Sequence, residues 1–425
     1  MSTQRLVIVD GVRTPFCKMG TDLAKLTADE LGRIVVNALL TRTGLDPRRI
    51  DEVIFGCVGQ PNESANLSRV IALRGGVPDH VPAITVSRNC ASGMEALTQA
   101  CEKMRAGRGE IYLVGGVESM SNYPFLFSDA AKVKFAQLGR ARSLGQKILI
   151  LARFRPADFA PRIALQLGLT DPTCGMGMGE TAELLASEGG ITREKQDLFA
   201  LESHRKAAAA SGRLATEISP VYLAGKALTT DNGVRERQSL EALANLRPVF
   251  DRRFGTVTAG NASQITDGAV ALLVMSEAKA AELGYEPLGV LTGYAYVGCD
   301  PTRMGLGPVH AMNALEQRHG LRLKDADLIE INEAFAAQVI ACQQAAASEK
   351  FARKILGRNE PLGEIPNDKL NVNGGAIALG HPVGATGARL ALTSLLELKR
   401  RKLKRALATL CVGGGQGAAI WLEAL

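Results

Sequence analysis

The chain has 425 residues, too many for one ordinary hydrophobic core, so two or three packed units are expected. Its composition is 46% hydrophobic with 45 glycines and only 4% aromatic residues, which excludes disordered and fibrous classes and points to close backbone packing in a soluble α/β protein. The net charge of +7 is concentrated: residues 126–166 hold eight cations (Lys132, Lys134, Arg140, Arg142, Lys147, Arg153, Arg155 and Arg162) against two acids, Asp129 and Asp158. That argues against a general nucleic-acid surface and for a local patch facing an anionic ligand, a membrane or a partner.

Taken in order, residues 4–10 read as a buried strand and Gly11–Pro15 as a turn. Residues 27–43 read as a helix with Leu31, Ile34, Val35, Ala38 and Leu39 on one face. Residues 44–56 are a loop and a strand, and 66–75 a short helix. From Val81 to Cys101 a β-branched run leads into Asn89-Cys90-Ala91. A helix follows, with Met94, Leu97 and Cys101 three and four apart. Residues 111–117 are another strand. Strands alternating with helices imply a mostly parallel sheet covered on both faces. From 123 to 255 charges rise and helices dominate, at 178–189 and 192–211, with Asp231–Arg235 as a turn. Strand character resumes at 256–263 and 267–276.

The segment Gly320–Asn332 echoes Gly44–Gly56: Gly-Leu, a polar turn, then an acid leading into an apolar strand. A helix over 386–400 and strands at 405–410 and 418–423 follow. Two similar α/β halves in tandem fit the length. Residues 1–122 plus 256–284 form the first half, 123–255 an insertion, and 285–425 the second half.

The eight cysteines (Cys17, Cys57, Cys90, Cys101, Cys174, Cys299, Cys342 and Cys411) form no C-x-x-C pair, and histidine spacing gives no zinc pattern. The N-terminal ten residues lack the apolar core of a signal peptide, and no apolar run reaches the ~18 residues of a spanning helix. Reduced thiols in a cytoplasmic setting are expected.

Cys90 sits at a strand-to-helix turn, where the positive helix end favours thiolate over thiol. It reads as a covalent nucleophile or as an inert core cysteine; this stretch alone leaves both open. His381 lies among Gly380, Pro382 and Gly384, which restrict its backbone. A held imidazole suits a general base, although a lone loop histidine is more often simply hydrogen-bonded. Cys411 ends a strand, and four glycines fall within the next six residues. Their N–H groups can form an oxyanion hole or anion nest. No Lys-Ser/Thr follows, so this is not a phosphate-binding loop. The plainer reading of Cys411 is a core cysteine, and of Asn332, at a strand-to-helix junction, a satisfied loop amide. Gly260–Ser263 is another small-residue turn.

Together these stretches resemble the thiolase family of acyl-CoA:acetyl-CoA C-acyltransferases. The matching segments are V12-R-T-P-F16, N89-C-A-S-G93, G115-G-V-E-S-M120, G179-E-T-A-E183, R247-P-V-F250, G255-T-V-T-A-G-N-A-S263, N332-E-A-F335, G374-G-A-I-A-L-G-H-P382 and C411-V-G-G-G-Q-G417. They cover nearly the whole chain, in order. The resemblance implies a five-layer αβαβα core of two α/β halves, with an inserted loop domain covering CoA. It implies Cys90 as the nucleophile that carries the acyl group, with the N–H groups of Cys90 and Gly413 holding the oxyanion. His381 and a water on Asn332 would hold the thioester oxygen, and Cys411 would protonate the enolate. Arg235 aligns with an arginine near the adenine end of CoA, Ser263 with a serine touching pantetheine, and Met178 with a methionine of the pocket wall. Phe335, in the same motif as Asn332, joins these substrate contacts. CoA is a substrate, no metal or redox cofactor is implied, and a homodimer is.

Many thiolases carry a histidine just before that methionine; this chain has Gly177, which implies a larger acyl pocket. The stretches Ala141–Lys147 and Ala152–Pro161 are similar to the β-subunit of the trifunctional fatty-acid-oxidation enzyme. That subunit typically has His-Glu-Ala-Phe where this chain has Asn332-Glu-Ala-Phe. Between Lys132 and Phe154, Val133, Leu138, Leu144, Ile148, Leu151 and Phe154 mix with cations at helical spacing. This reads as a face for a membrane or a hydratase/dehydrogenase α-subunit, or as a hairpin packed on its own chain.

The implied reaction is cleavage of 3-ketoacyl-CoA in fatty-acid β-oxidation. The alternatives are acetyl-CoA C-acetyltransferase chemistry, which makes acetoacetyl-CoA by Claisen condensation, and a non-catalytic CoA- or lipid-binding scaffold subunit. A ketoacyl synthase, which uses Cys with two histidines, is disfavoured because only His381 has a suitable setting. Equivalent halves would set Cys90 and Cys411 on opposite sides of one substrate.

Overall fold

Gly44 and Gly320 each end a helix in the left-handed region, at φ 66° and 70°, where glycine avoids a Cβ clash. The helices are Ala28–Thr43 and Gly307–His319. Each is followed by a short 3-10 turn, Pro47–Arg49 or Leu323–Asp325, and then by a strand, Glu52–Gly56 or Leu328–Ile331. The echo in the sequence is thus a repeated helix–turn–strand unit. It is seen in a computed structural model that describes residues 4–425. Residues 1–3, part of the stretch read for a signal peptide, lie outside the described residues.

The main sheet runs Leu328–Ile331, Arg405–Val412, Gln416–Ala424, Gly289–Gly298, Leu6–Arg13, Thr266–Ser276, Ile111–Ser119, Glu52–Gly56, Ala83–Val86. The seam between the halves is the pairing of Val7 with Val290 and of Ile8 with Gly289. Outward from that seam, each half repeats two antiparallel pairings and then a parallel one. The sheet is therefore mixed, not mostly parallel as the strand–helix alternation suggested. Its middle is antiparallel because Arg405–Val412 and Gln416–Ala424 form a hairpin across Gly413–Gly415, and Thr266–Ser276 returns between two earlier strands.

Two helices, Ser92–Arg105 and Val383–Arg401, lie between the inner faces of the half-sheets. Their shared core includes Met94, Leu97, Leu392, Leu395, Val270 and Ile420, all fully buried. Helix Ala28–Thr43 covers the first half-sheet from outside, and Gly307–His319 with Ala336–Ala347 covers the second. This gives the five layers αβαβα. Burying apolar surface on both faces of both half-sheets is the main stabilising term.

Three local readings change. The first strand runs on through Gly11 to Arg13. A Cβ at Gly11 would come within 2.5 Å of Leu272 and 2.8 Å of Leu392, so the expected turn residue is there for close packing. Residues 256–263 form turns rather than a strand, because Asn261 Oδ1 accepts the Thr258 N–H at 2.8 Å and Thr258 Oγ1 accepts the Gly260 N–H at 3.1 Å. The strand Gly289–Gly298 and helix Gly307–His319 were not expected from the pattern at all.

The region 123–255 is helical, with Asp129–Arg140, Leu144–Leu151, Met178–Glu188 and Arg193–Ala209 as its longer elements. It is bound to the first strand through Arg13. That fully buried guanidinium meets Glu217 and Asp231 at 2.6 Å each. Among the described residues no helix is long and apolar enough to cross a membrane.

Candidate active site

Cys90 stands in the turn between strand Ala83–Val86 and helix Ser92–Arg105. Asn89 before it has φ 43°, a left-handed conformation that asparagine tolerates. The Ser92 hydroxyl accepts the Arg88 N–H at 2.9 Å and donates to the Asn89 carbonyl at 2.7 Å, closing the turn. The backbone N–H groups of Cys90 and Gly413 lie near the Cys90 sulfur and favour its charged form. Asn89 Nδ2 donates to the Gly413 carbonyl at 2.8 Å and so fixes that peptide. The thiol opens into a cavity of about 270 Å³ walled by Val58, Met120, Leu165, Met178 and Val383. Burial pushes its pKa up, and the two N–H groups only partly offset this. Burial thus works against the helix end, which by itself favours thiolate over thiol.

His381 occupies the matching turn, two residues before helix Val383–Arg401. Gly380 before it has φ 102°, and a Cβ there would lie 2.3 Å from Thr266. The His381 Nε2 is 3.3 Å from Asn332 Nδ2, and its Nδ1 is 2.6 Å from Thr386 Oγ1. Burial, helped by the Arg389 charge, pushes His381 down to about 3, so the ring is neutral at pH 7 and has a lone pair to offer. Asn332 follows strand Leu328–Ile331, and its N–H donates to the Thr409 carbonyl at 3.0 Å, two residues before Cys411. Cys411 is buried in one apolar cluster with Met178 and Phe335. Burial and then the nearby Cys90 thiol raise its pKa well above the ordinary value, which suits a proton donor.

Ser263 donates its N–H to the Ala334 carbonyl at 2.9 Å, which sets the 260s turn against the Asn332–Phe335 segment. Phe335 meets Phe250 edge-on, with ring centroids 6.1 Å apart. Arg235 lies away from the thiol cavity: its N–H donates to His204 Nδ1 at 3.1 Å and its side chain is exposed. At Gly177 a Cβ would meet nothing nearer than 3.5 Å, so a side chain would fit there and its absence leaves open space.

Two acids were not anticipated. Glu118 is fully buried. Its Oε2 accepts the N–H groups of Val58 and Gly384 at 3.0 Å each. Its Oε1 accepts the Gly59 N–H at 2.8 Å and the Tyr123 hydroxyl at 2.9 Å. One carboxylate thus joins a strand end of the first half to the helix that follows His381. Its only signal in the sequence is an acid inside the apolar run Ile111–Ser119. Asp171, which lines the cavity with Gly414, accepts through Oδ1 the Thr173 N–H at 2.7 Å and the Cys174 N–H at 3.2 Å, which holds this part of the wall.

The expected pairing of Cys90 with Cys411 as equivalents is also corrected. In the repeat, the turn holding Cys90 matches the turn holding His381, because each precedes a central helix by two residues. Cys411 ends a strand whose counterpart is Ile111–Ser119.

The thiolase N-terminal domain family matches residues 6–278 and the thiolase C-terminal domain family residues 285–424. The chain is 44% identical to the 3-ketoacyl-CoA thiolase of Pectobacterium carotovorum, over 99% of this chain and 96% of that protein. It is 42% identical to the 3-ketoacyl-CoA thiolase of Pseudoalteromonas translucida, over 99% and 97%. Among solved structures, the acetyl-CoA acetyltransferase of Bacillus anthracis superposes with a TM-score of 0.86 at 37% identity, covering 99% of each chain. The human mitochondrial 3-ketoacyl-CoA thiolase in complex with CoA superposes at 0.85 with 34% identity, covering 99% of this chain and 98% of that one. With both domain families matched in order and the αβαβα fold in place, the chain belongs to the thiolase family of acyltransferases.

Proposed function

We propose that this protein is a 3-ketoacyl-CoA thiolase that cleaves 3-ketoacyl-CoA with CoA, giving acetyl-CoA and an acyl-CoA two carbons shorter. The observation that carries the reading is the Cys90 thiol beside the Cys90 and Gly413 N–H groups at the wall of an apolar cavity. His381 takes the Cys90 proton, and the thiolate attacks the 3-keto carbon. The same two N–H groups hold the oxyanion, as preorganised donors do. Collapse breaks the Cα–Cβ bond and leaves the acyl group on Cys90. The departing acetyl-CoA enolate is held by His381 Nε2–H and by a water on Asn332, and Cys411 protonates it. Cys411 then takes the proton of the incoming CoA thiol, whose sulfur attacks the acyl-Cys90 thioester. Cys90 leaves as thiolate and regains its proton from His381. Thiols and imidazole balance every proton, and no step calls for a metal or redox cofactor.

Several finer readings go with this. Residues 123–255 serve as the insertion covering CoA, between core halves 1–122 plus 256–284 and 285–425. Arg235, Ser263, Met178 and Phe335 line the CoA path, supported most by the packing of Met178 and Phe335 on Cys411. The chain works in the cytoplasm, in fatty-acid β-oxidation, as a homodimer; the uncovered edge strand Ala83–Val86, with Ile84 exposed, suits such pairing. The hairpin Asp129–Arg140/Leu144–Leu151 exposes Val133, Leu144, Ile148, Leu149 and Leu151 among basic residues, which suits a membrane or an α-subunit. Vesicle co-sedimentation and α-subunit pull-down before and after deleting 126–166 test this; binding unchanged in both removes it.

The decisive measurement is CoA-dependent cleavage across C4 to C16 3-ketoacyl-CoA, with mass spectrometry of acylated Cys90. Long-chain turnover with an adduct on Cys90 is expected. The second reading, acetyl-CoA acetyltransferase, is favoured by the likeness to the Bacillus anthracis enzyme, and a sharp C4 optimum would establish it. A Cys90→Ala variant that still cleaves substrate would overturn both.

A further inference from the structure

We propose that Thr386 is a positioning residue for this reaction. Its hydroxyl keeps a proton on Nδ1 of His381, so that Nε2 always faces the reacting atoms. The inference rests on the reading of His381 as the base for Cys90.

Thr386 is fully buried in the first turn of helix Val383–Arg401. Its Oγ1 lies 3.1 Å from the Pro382 carbonyl, four residues back, and 2.6 Å from His381 Nδ1. A threonine hydroxyl has one proton and two lone pairs, and it commonly bonds back to the carbonyl four residues earlier. The Pro382 carbonyl can only accept, so the hydroxyl proton goes there. A lone pair is then left for Nδ1, which must be Nδ1–H. At the other end of the ring, Asn332 Nδ2 is 3.3 Å from Nε2 and can only donate, so Nε2 must accept. Both ends of the imidazole select the same tautomer.

The opposite tautomer needs two changes at once. The Asn332 amide would have to turn over, bringing its otherwise unpartnered Oδ1 to an Nε2–H. Thr386 would also have to redirect its proton to Nδ1 and abandon the Pro382 carbonyl. Thr386, β-branched and packed in the helix, has few rotamers with which to do this.

The consequence follows the proton. At rest Nε2 is a lone pair and takes the Cys90 proton. The ring is then an imidazolium, whose new Nε2–H points at the substrate oxygen, while Nδ1–H is still accepted by Thr386. One hydroxyl orientation serves both states, so Thr386 does not reorient during turnover, whereas the Asn332 amide that donates to the resting Nε2 lets go of it. The charged group acting on this ring is Arg389, on the helix of Thr386 and paired with Glu330 at 3.2 Å.

The test compares Thr386→Val and Thr386→Ser with wild type, reading kcat, KM for CoA, Cys90 alkylation by iodoacetamide, and melting temperature. Thr386→Val should lose about 10- to 100-fold in both kcat and Cys90 alkylation at pH 7, with KM for CoA little changed, as when a partner orienting a histidine is removed. Thr386→Ser should stay near wild type. A folded Thr386→Val enzyme with wild-type turnover and alkylation overturns the proposal, as does a serine variant as damaged as the valine one. Nitrogen-15 NMR of histidine-labelled wild type, with His381→Asn to assign the signal, gives an answer that needs no valine variant: protonated Nδ1 supports the proposal and protonated Nε2 overturns it. If His381→Asn leaves Cys90 alkylation unchanged, the reading of His381 as base fails first. If only Thr386→Val is silent, this inference alone fails.

Discussion

The two turns that precede the central helices have one backbone plan and opposite chemistry. Asn89-Cys90 and Gly380-His381 each place a residue of positive φ, 43° and 102°, just before the reactive one. In the first half the left-handed residue also works, because the Asn89 side chain holds the Gly413 carbonyl. In the second half Gly380 is bare, because Thr266 occupies the space a side chain would need. On the proposed reading, the duplicated plan supplies the nucleophilic thiol from one half and its base from the other, each beside its own helix start.

The comparison breaks most sharply at the reactive atoms. Cys90→Ala should abolish acyl-enzyme formation and lower turnover by about ten-thousand-fold or more, as loss of a nucleophile does. A persistent acyl adduct in that variant would show that the two turns were matched wrongly. His381→Asn should cost about 10²- to 10⁴-fold in kcat, the usual range for a general base, and should slow Cys90 alkylation in parallel. Equal alkylation in the two proteins would separate the turns chemically.

The backbone plan is probed next. Gly380→Ala combines a left-handed φ with a 2.3 Å clash against Thr266. It should destabilise by about 3 kcal/mol or more by urea unfolding. Asn89→Gly should leave stability within about 1 kcal/mol, since glycine accepts the same φ, yet lower kcat through the freed Gly413 peptide. If both variants are equally stable, the symmetry in φ has no energetic content. Glu118→Gln replaces a two-oxygen acceptor of five hydrogen bonds by a one-oxygen one. A loss of about 1–3 kcal/mol in unfolding free energy is expected.

A further effect is in pH. Burial pushes His381 down to about 3 and His204 down to about 4, with the Arg389 charge adding to the first and Arg235 to the second. Below the ordinary histidine value of about 6.5 the unfolded chain binds protons that the folded chain refuses, so stability falls as pH drops from about 6.5 toward 4. His204 alone contributes about 2 kcal/mol of that fall at pH 5. Urea midpoints at pH 7 and pH 5 should differ less in His204→Asn than in wild type; an unchanged difference would contradict the burial argument.

Much of this was legible in the chain. The Gly44/Gly320 echo marked the tandem halves because left-handed helix ends need glycine. His381 stood out because glycines and proline confine it. Strand Gly289–Gly298 was hidden by its glycines at 289, 293 and 298, which break the apolar pattern; the first two are needed for close packing, since a Cβ would lie 2.4 Å from the Glu423 carbonyl oxygen at Gly289 and 2.7 Å from Leu321 at Gly293. Glu118 was hidden because an acid in an apolar strand has no local partner; its five donors come from residues 57, 58, 59, 123 and 384. The burial that opposes a thiolate at Cys90 was hidden for a related reason. A local helix end is visible in sequence, but the burial that outweighs it comes from distant segments.

The first strand has a consequence for how the protein is made. Leu6 pairs with Ser276, and Val7 with Val290, so Leu6–Arg13 is an unpaired, apolar edge until some 270 residues more have left the ribosome. Such long-range pairing slows folding and leaves a sticky strand exposed in the meantime. Synthesis of this enzyme should therefore depend on chaperones that hold the N-terminus, and its yield should fall when they are depleted, even where the finished protein is stable.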